Sequence, residues 1–341
     1  MITKTLLISD ILTVKLHLME QDLRSINAYF PNMLIIDNDS LFDYEIYYHK
    51  IDVIPENYKI TNGKEISPFR NSKYIVNRSN DYIIAYAKKQ EFSNEHAIIR
   101  NQKVIMMYAQ NDIKQKNLIR LMTELIIRKL LEKNYFPLHA SCVVNENKAI
   151  IYFGKKGSGK STALFSSVLL AGSNPLANDI TFVGKENSIW KAFGTSYDLT
   201  FDSSLFPQVT NGSELVEEHN LISEYHSHKI RYGASEFCRS FNTSWEWSSL
   251  IKNINVVNLN PNTQYREKVN IKIINALDYL NKYGKDHNFN FDDLLMINGL
   301  VPKFNYEDLV QEIIFNEIDG NIINHQLSTK VYKRSIYGRK N

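Results

Sequence analysis

Between Gly154 and Thr162 the chain reads Gly-Lys-Lys-Gly-Ser-Gly-Lys-Ser-Thr. Its first eight residues satisfy the pattern G-x-x-x-x-G-K-[ST] at every position. Glycines reach backbone angles closed to other residues, so successive N–H groups of such a loop can turn inward around an anion. A helix starting at the loop's end adds the partial positive charge of its N-terminus. In that arrangement Lys160 reaches the β- and γ-phosphates of a nucleotide, and the Ser161 hydroxyl ligates Mg²⁺. Gly154, Lys155, Lys156, Gly157, Ser158, Gly159, Lys160, Ser161 and Thr162 are therefore the candidate residues for binding ATP or GTP.

A phosphate loop is shared by kinases, switches and motors, so the second acidic element decides more. Here it comes early: Asp179, in "PLANDITFV", follows Lys160 by only 19 residues. That leaves room for one helix and a turn. Its neighbour Asn178 can coordinate or orient a group but cannot serve as a general base near neutral pH. Other titratable groups offer less. His226 and His228, in "HSHKIR", have no further ligands at usable spacing, and Lys229 and Arg231 beside them could neutralise charge on a transferred phosphoryl group. Cys142 and Cys238 lie 96 residues apart without the paired spacing of a zinc or redox motif, and read as reduced thiols in or near the core.

The elements around the loop have the required order. "PLHASCVVNENKAIIYFG" is two apolar runs around "NENK", a β-hairpin whose second strand feeds the loop. A helix over 160–171 follows, then a turn and a strand in "GSNPLANDITFVG". Upstream, residues 40–110 are short aromatic and β-branched runs broken by polar turns, which predicts an antiparallel sheet. Leu118, Leu121, Met122, Leu125 and Ile126 then follow helical spacing, predicting a long amphipathic helix at about 113–133 capped by Asn111 or Asp112. Residues 190–260 read as mixed strand and loop, with "EYHSHKIRYGASEF" as a mobile loop and the tryptophans of "SWEWSS" as core residues. Helices are expected from about 271 and over "NYEDLVQEIIFNEI". The organisation expected is a β-rich module over 1–112, a phosphate-loop domain over 113–300, and a C-terminal helix and basic tail over 301–341.

Composition narrows the partners. Lys+Arg 40 against Asp+Glu 37 leaves a net charge of +3, which argues against a dedicated nucleic-acid binder. The first twenty residues are interrupted by Lys4, Asp10, Lys15 and Glu20, so no apolar signal or spanning run is read there, and no membrane partner. The compartment expected is the cytoplasm.

The segments "LHAS" (Leu138 to Ser141), "GKKGSGKST" and "LANDITFV", in this order and spacing, resemble the HPr kinase/phosphorylase-like family, related to the nucleotide site of phosphoenolpyruvate carboxykinase. "LHAS" looks especially like the members found beside genes for modified peptides, including lasso-peptide kinases. The resemblance covers about residues 115–190. It implies an α/β fold: a P-loop nucleotide-binding core of the HPr kinase/PEP carboxykinase type, with an N-terminal β-rich (α+β) module. It also implies phosphoryl transfer from ATP to a hydroxyl, with Asp179 as base, His139 near the phosphates, and Ser161, Asp179 and Asn178 around Mg²⁺. The acceptor implied is a Ser of a peptide or small protein, and the likeness allows a homo-oligomer. One departure stands out: where the family usually carries two aspartates, this chain has Asn178-Asp179. That departure keeps a nucleotide-binding regulatory or scaffold module as an alternative. A small-metabolite kinase is a further one, for which Arg231, Arg239 and Arg266 would be lid candidates.

Overall fold

A computed structural model describes residues 1–36, 41–66, 73–79, 81–89, 94–112, 115–195, 199–202, 229–258, 269–270, 280, 306–313 and 315–319. The chain divides into two compact units, one of residues 1–133 with 287–303, the other of 134–286 with 304–341. Both are built on large sheets with few helices, a mixed α/β protein. No helix among the described residues is long and apolar enough to cross a membrane.

The first unit opens with a hairpin of β1 (Ile2–Ile8) and β2 (Leu12–Leu18), turned at Ser9 with φ 51°. Leu12, Val14, Leu16 and Leu18 are buried while the residues between them are partly exposed, the alternation of a strand with one face in a core. After α1 (Glu20–Tyr29) come β3 (Leu34–Ile36), β4 (Tyr44–Ile51), β5 (Lys64–Ile66), β6 (Tyr74–Arg78), β7 (Ile83–Ala87), β8 (His96–Asn101) and β9 (Val104–Gln110). They form a nine-stranded sheet in the order β3-β1-β2-β4-β9-β8-β7-β6-β5. The expected all-antiparallel sheet is corrected at its centre, where β4 pairs in parallel with both β2 and β9. Parallel neighbours need long crossovers. Here α1 and β3 supply one, and the meander β5 to β8 supplies the other.

The long helix α2 (Lys116–Glu132) buries Leu118, Leu121, Met122, Leu125 and Ile126 and belongs to the first unit, although it was expected to open the second. Its N-cap is Gln115 in a left-handed conformation, without a side-chain cap bond. Asp112 still serves the first turn: its carboxylate accepts the Asn117 N–H at 3.2 Å and the Tyr48 hydroxyl at 2.9 Å.

The second unit begins with the expected hairpin, β10 (Phe136–Asn145) and β11 (Lys148–Phe153), joined by Glu146 and Asn147 at φ 50° and 60°. Two consecutive positive φ values suit the right-handed twist of a hairpin. Helix α3 (Lys160–Ala171) follows, ending on Gly172 at φ 66°. Then come β12 (Asn174–Ala177), β13 (Ile180–Glu186), β14 (Ile189–Gly194), β15 (Leu199–Asp202), β16 (Lys229–Tyr232), α4 (Ala234–Phe241), β17 (Ser248–Asn258), β18 (Val269–Asn270), α5 (Tyr306–Glu312) and β19 (Phe315–Asp319). Strands β11, β10, β13, β14 and β17 pair in a closed circuit, because β17 is also the parallel neighbour of β11. Leu138, Ala140 and Cys142 of β10 join Ile151, Phe153, Val183, Ile254 and Val256 in one core, together with Tyr306 and Leu309 of α5. Trp245 and Trp247 are buried as expected of core residues.

Two expectations fail here. "EYHSHKIRYGASEF" does not read as a loop where it is described: it supplies β16 and the start of α4. Aromatic contacts explain the order, since Phe237 and Phe241 of α4 pack against Phe165 of α3, and Phe237 against Phe201 of β15. "NYEDLVQEIIFNEI" is helical only through Glu312, after which Phe315–Asp319 pairs in parallel with β17. An open position beside β17 outweighs the helical pattern of that stretch. Of the helix expected from about 271 only Leu280 is described, helical and buried; His226, His228, Arg266 and the basic tail lie outside the described residues.

Candidate functional site

The glycine-rich loop connects the end of β11 to α3, the strand-loop-helix order read from the sequence. Gly157 and Gly159 take φ 80° and 94°, and Gly159 stands at the N-cap of α3 with no side chain capping the helix. The amides of the first turn therefore lack a side-chain acceptor, the condition under which a helix start attracts an anion. Gly154 is needed for a different reason: a Cβ there would lie 2.6 Å from the Val257 carbonyl oxygen and 2.7 Å from Ser158 Oγ. The Ser158 hydroxyl is buried and has no hydrogen-bond partner.

Lys160 is buried and turned onto the loop, its Nζ donating to the carbonyls of Gly154 at 2.9 Å and Lys155 at 3.1 Å. Those bonds brace the loop and keep an ammonium beside its amides. Lys155 and Lys156 are exposed on the loop itself.

The second half of the site comes from adjacent strands. Strands β12 and β13 run antiparallel to β10 on either side of Asn178-Asp179, with Cys142 opposite Ala177 and His139 opposite Ile180, and the pairing with β12 shifts by one residue between Cys142 and Val143. The ladder breaks between them because Asp179 adopts φ 88°, while its carbonyl still accepts the Ala140 N–H at 3.1 Å. A positive φ at a non-glycine residue is a costly conformation that marks a functional position more often than chance. Alternation along β10 puts His139 and Ser141 on the face opposite Leu138, Ala140 and Cys142.

Three contacts join these residues. Ser161 Oγ donates to Asn178 Oδ1 at 2.9 Å, Ser141 Oγ donates to the same oxygen at 3.2 Å, and Asn178 Nδ2 donates to the Thr200 carbonyl of β15 at 3.3 Å. Asp179 points outward, its side chain 70% exposed, with Oδ1 3.2 Å from His139 Nε2. The structure thus brings together Lys160, Ser161, Asn178, Asp179 and His139. Lys229 and Arg231 are placed on β16, opposite Asp202 and Thr200 of β15, and Arg239 is exposed on α4. Ser141 and Thr200 are members of the site that sequence reasoning assigned no role. For Ser141 a signal was present, since period-two alternation in "LHAS" sets it on the face of His139.

The donor set suits Mg²⁺ carried by a nucleotide. Ser161 Oγ and the Asp179 carboxylate are hard oxygens, while Asn178 Oδ1 already accepts from two hydroxyls and so orients Ser161; a site that relies on phosphates and water for its remaining ligands needs only one or two from the protein. No cluster of three or more His, Cys, Asp or Glu that could hold a metal by itself occurs among the described residues. The cysteines take no part: both are buried, and burial pushes the Cys238 thiol up to about 12 and that of Cys142 higher still.

No family model matches the chain, and no curated protein matches it. Among solved structures, the HPr(Ser) kinase/phosphatase from Coxiella burnetii is similar at 13% identity with a TM-score of 0.27, over 59% of this chain and 97% of that one. That likeness is too loose to carry residues from one protein to the other.

Proposed function

We propose that this chain is a kinase that transfers the γ-phosphoryl group of ATP, or of GTP, to a hydroxyl, with a Ser of a peptide or small protein as acceptor. The observation that carries the reading is the junction of the loop's hydroxyl, Ser161, with the Asn178-Asp179 pair, beside a lysine held against the loop. Binding falls to the loop amides, to Lys160 on the β- and γ-phosphates, and to Ser161 and Asp179 on the cation, with Asn178 orienting the Ser161 hydroxyl. Mg²⁺ would supply charge neutralisation on the phosphate oxygens.

Asp179 is the base of the reading: its exposed carboxylate can meet an incoming hydroxyl, and His139 at 3.2 Å orients it. The acceptor oxygen bonds to the γ-phosphorus as the bond from that phosphorus to the β,γ-bridging oxygen breaks. The acceptor proton passes to Asp179, and the nucleoside diphosphate leaves with the bridging electron pair. One acid, one lysine and the loop suffice, because phosphoryl transfer depends on positioning and charge neutralisation more than on covalent chemistry.

The test is intact-mass measurement of candidate serine peptides, those encoded beside the gene first, after incubation with Mg-ATP and the protein. A gain of one phosphate that disappears with Lys160→Ala supports the kinase. A second reading, a nucleotide-binding module without transfer, is favoured by the neutral Asn178 beside Ser161; nucleotide binding with no mass gain on any acceptor would support it.

A further inference from the structure

Asn178 is bonded at both ends of its amide, and one of those bonds fixes which end is which. The Thr200 carbonyl can only accept, so the nitrogen of Asn178 must face it at 3.3 Å, and the oxygen must face the two hydroxyls. Ser141 and Ser161 therefore both donate, at 3.2 Å and 2.9 Å. With its proton committed to Asn178, the Ser161 oxygen keeps its lone pairs for another ligand.

We infer that Asn178 is a positioning residue that ties the two-stranded ribbon β15–β16 to the phosphate loop, a task that an aspartate at the same position could not perform. An ionised carboxylate can still accept from Ser141 and Ser161. Toward Thr200 it has no proton to give, and would set a charged oxygen against a carbonyl oxygen. Asn178 itself is buried, so water compensates little. The ribbon matters because Arg231 lies opposite Thr200 in it, and Lys229 opposite Asp202: the tie fixes the backbone of the strand that carries both cations relative to the loop. An amide at this position thus carries no charge and supplies a mechanical link. For its catalytic consequence this inference rests on the phosphate-site reading, though its geometry does not.

The test is hydrogen–deuterium exchange of the whole chain without nucleotide. In Asn178→Asp, peptides covering Leu199–Asp202 and Lys229–Tyr232 should exchange about tenfold faster than in the unaltered protein, while those of Lys160–Ala171 stay as they were. Ser141→Ala, which removes a bond on the other side of the amide, should leave the ribbon unchanged. Should Asn178→Asp not fold, Asn178→Ala carries the same expectation for the ribbon. Unchanged ribbon exchange overturns the inference, and so does loosening of ribbon and helix together, which would mean general destabilisation. With ATP hydrolysis as readout, Asn178→Asp should lower turnover about tenfold and move KM for Mg-ATP by less than about threefold, since the bonds to Ser161 and Ser141 survive; equal or higher turnover overturns it. If the unaltered protein binds no nucleotide, the phosphate-site reading fails and the exchange result still decides the tie.

Discussion

His139 Nε2 and Asp179 Oδ1 lie 3.2 Å apart, joined across neighbouring antiparallel strands at the point where Asp179 interrupts the ladder with φ 88°. The histidine is mostly covered and the carboxylate mostly open, so one partner is anchored while the other is presented to solvent. A structural ion pair gains little from that asymmetry, whereas a base that must meet an acceptor needs it. Asp179→Asn is expected to reduce transfer by about 10²- to 10⁴-fold, a larger loss than the weakening of Mg-nucleotide binding that follows from removing a carboxylate beside the cation. His139→Ala should cost less, because the carboxylate remains. Steady-state kinetics with calorimetric binding checks both, and a fully active Asp179→Asn would remove the residue from the mechanism.

The loop glycines separate into two kinds. At Gly154 a Cβ would sit 2.6 Å from the Val257 carbonyl oxygen, whereas at Gly157 nothing lies within 4 Å and only φ 80° resists a side chain. Gly154→Ala should therefore destabilise the protein by about 2 kcal/mol or more through displaced backbone, and Gly157→Ala by about 1 kcal/mol through backbone strain alone. Chemical denaturation of the two variants ranks them; a larger cost at Gly157 would contradict the packing described here.

Acid should weaken the first unit through His96. The ring is fully buried, with Nδ1–H donating to the Asn94 carbonyl and Nε2 accepting from the Tyr74 hydroxyl, each at 2.8 Å. Burial is the main cause that pushes its pKa down from 6.5 to about 4. The unfolded chain then takes up a proton below pH 6.5 that the folded chain refuses until about pH 4. This contribution to stability is whole above that window and falls by roughly 3 kcal/mol as pH drops through it. Asp22 and Asp112, both raised by burial, act in the opposite sense as they protonate. The difference in acid slope between the unaltered protein and His96→Gln in urea unfolding isolates the histidine, and equal slopes would contradict the burial of a neutral ring.

Both thiols should be silent in the native state. Cys142 is fully buried and Cys238 nearly so, with burial raising each thiol well above ordinary pH. An aromatic disulfide reagent at pH 8 should label neither cysteine natively and both in denaturant. Rapid native labelling of Cys238 would show that α4 opens readily.

What could be read from the sequence followed from local rules. The hairpin of residues 136–153, the loop and the helix from Lys160 to Ala171 each carry their own signals: two apolar runs around the polar "NENK", glycines and a change of period. The misreadings came where partners distant in sequence decide. Phe315–Asp319 is a strand because β17 offers it a parallel edge, and Ala234–Phe241 is a helix because Phe237 and Phe241 meet Phe165. The N-terminal hairpin was equally legible, since Leu12, Val14, Leu16 and Leu18 alternate as the buried face of a strand must. At the site, the loop and the Asn178-Asp179 pair were legible as motifs. The tie to Thr200 was not, because it joins a side chain to a backbone carbonyl 22 positions away, and any residue could supply that carbonyl.

The most direct measurement is a calorimetric titration of Mg-ATP, and of Mg-GTP, into the protein and into Lys160→Ala. One site is expected for at least one of the two nucleotides, with affinity reduced at least tenfold, by about 1.5 kcal/mol or more, when the lysine is removed. No binding of either nucleotide, or equal binding by the two proteins, would contradict the claim that the loop from Gly154 to Thr162 is a phosphate site.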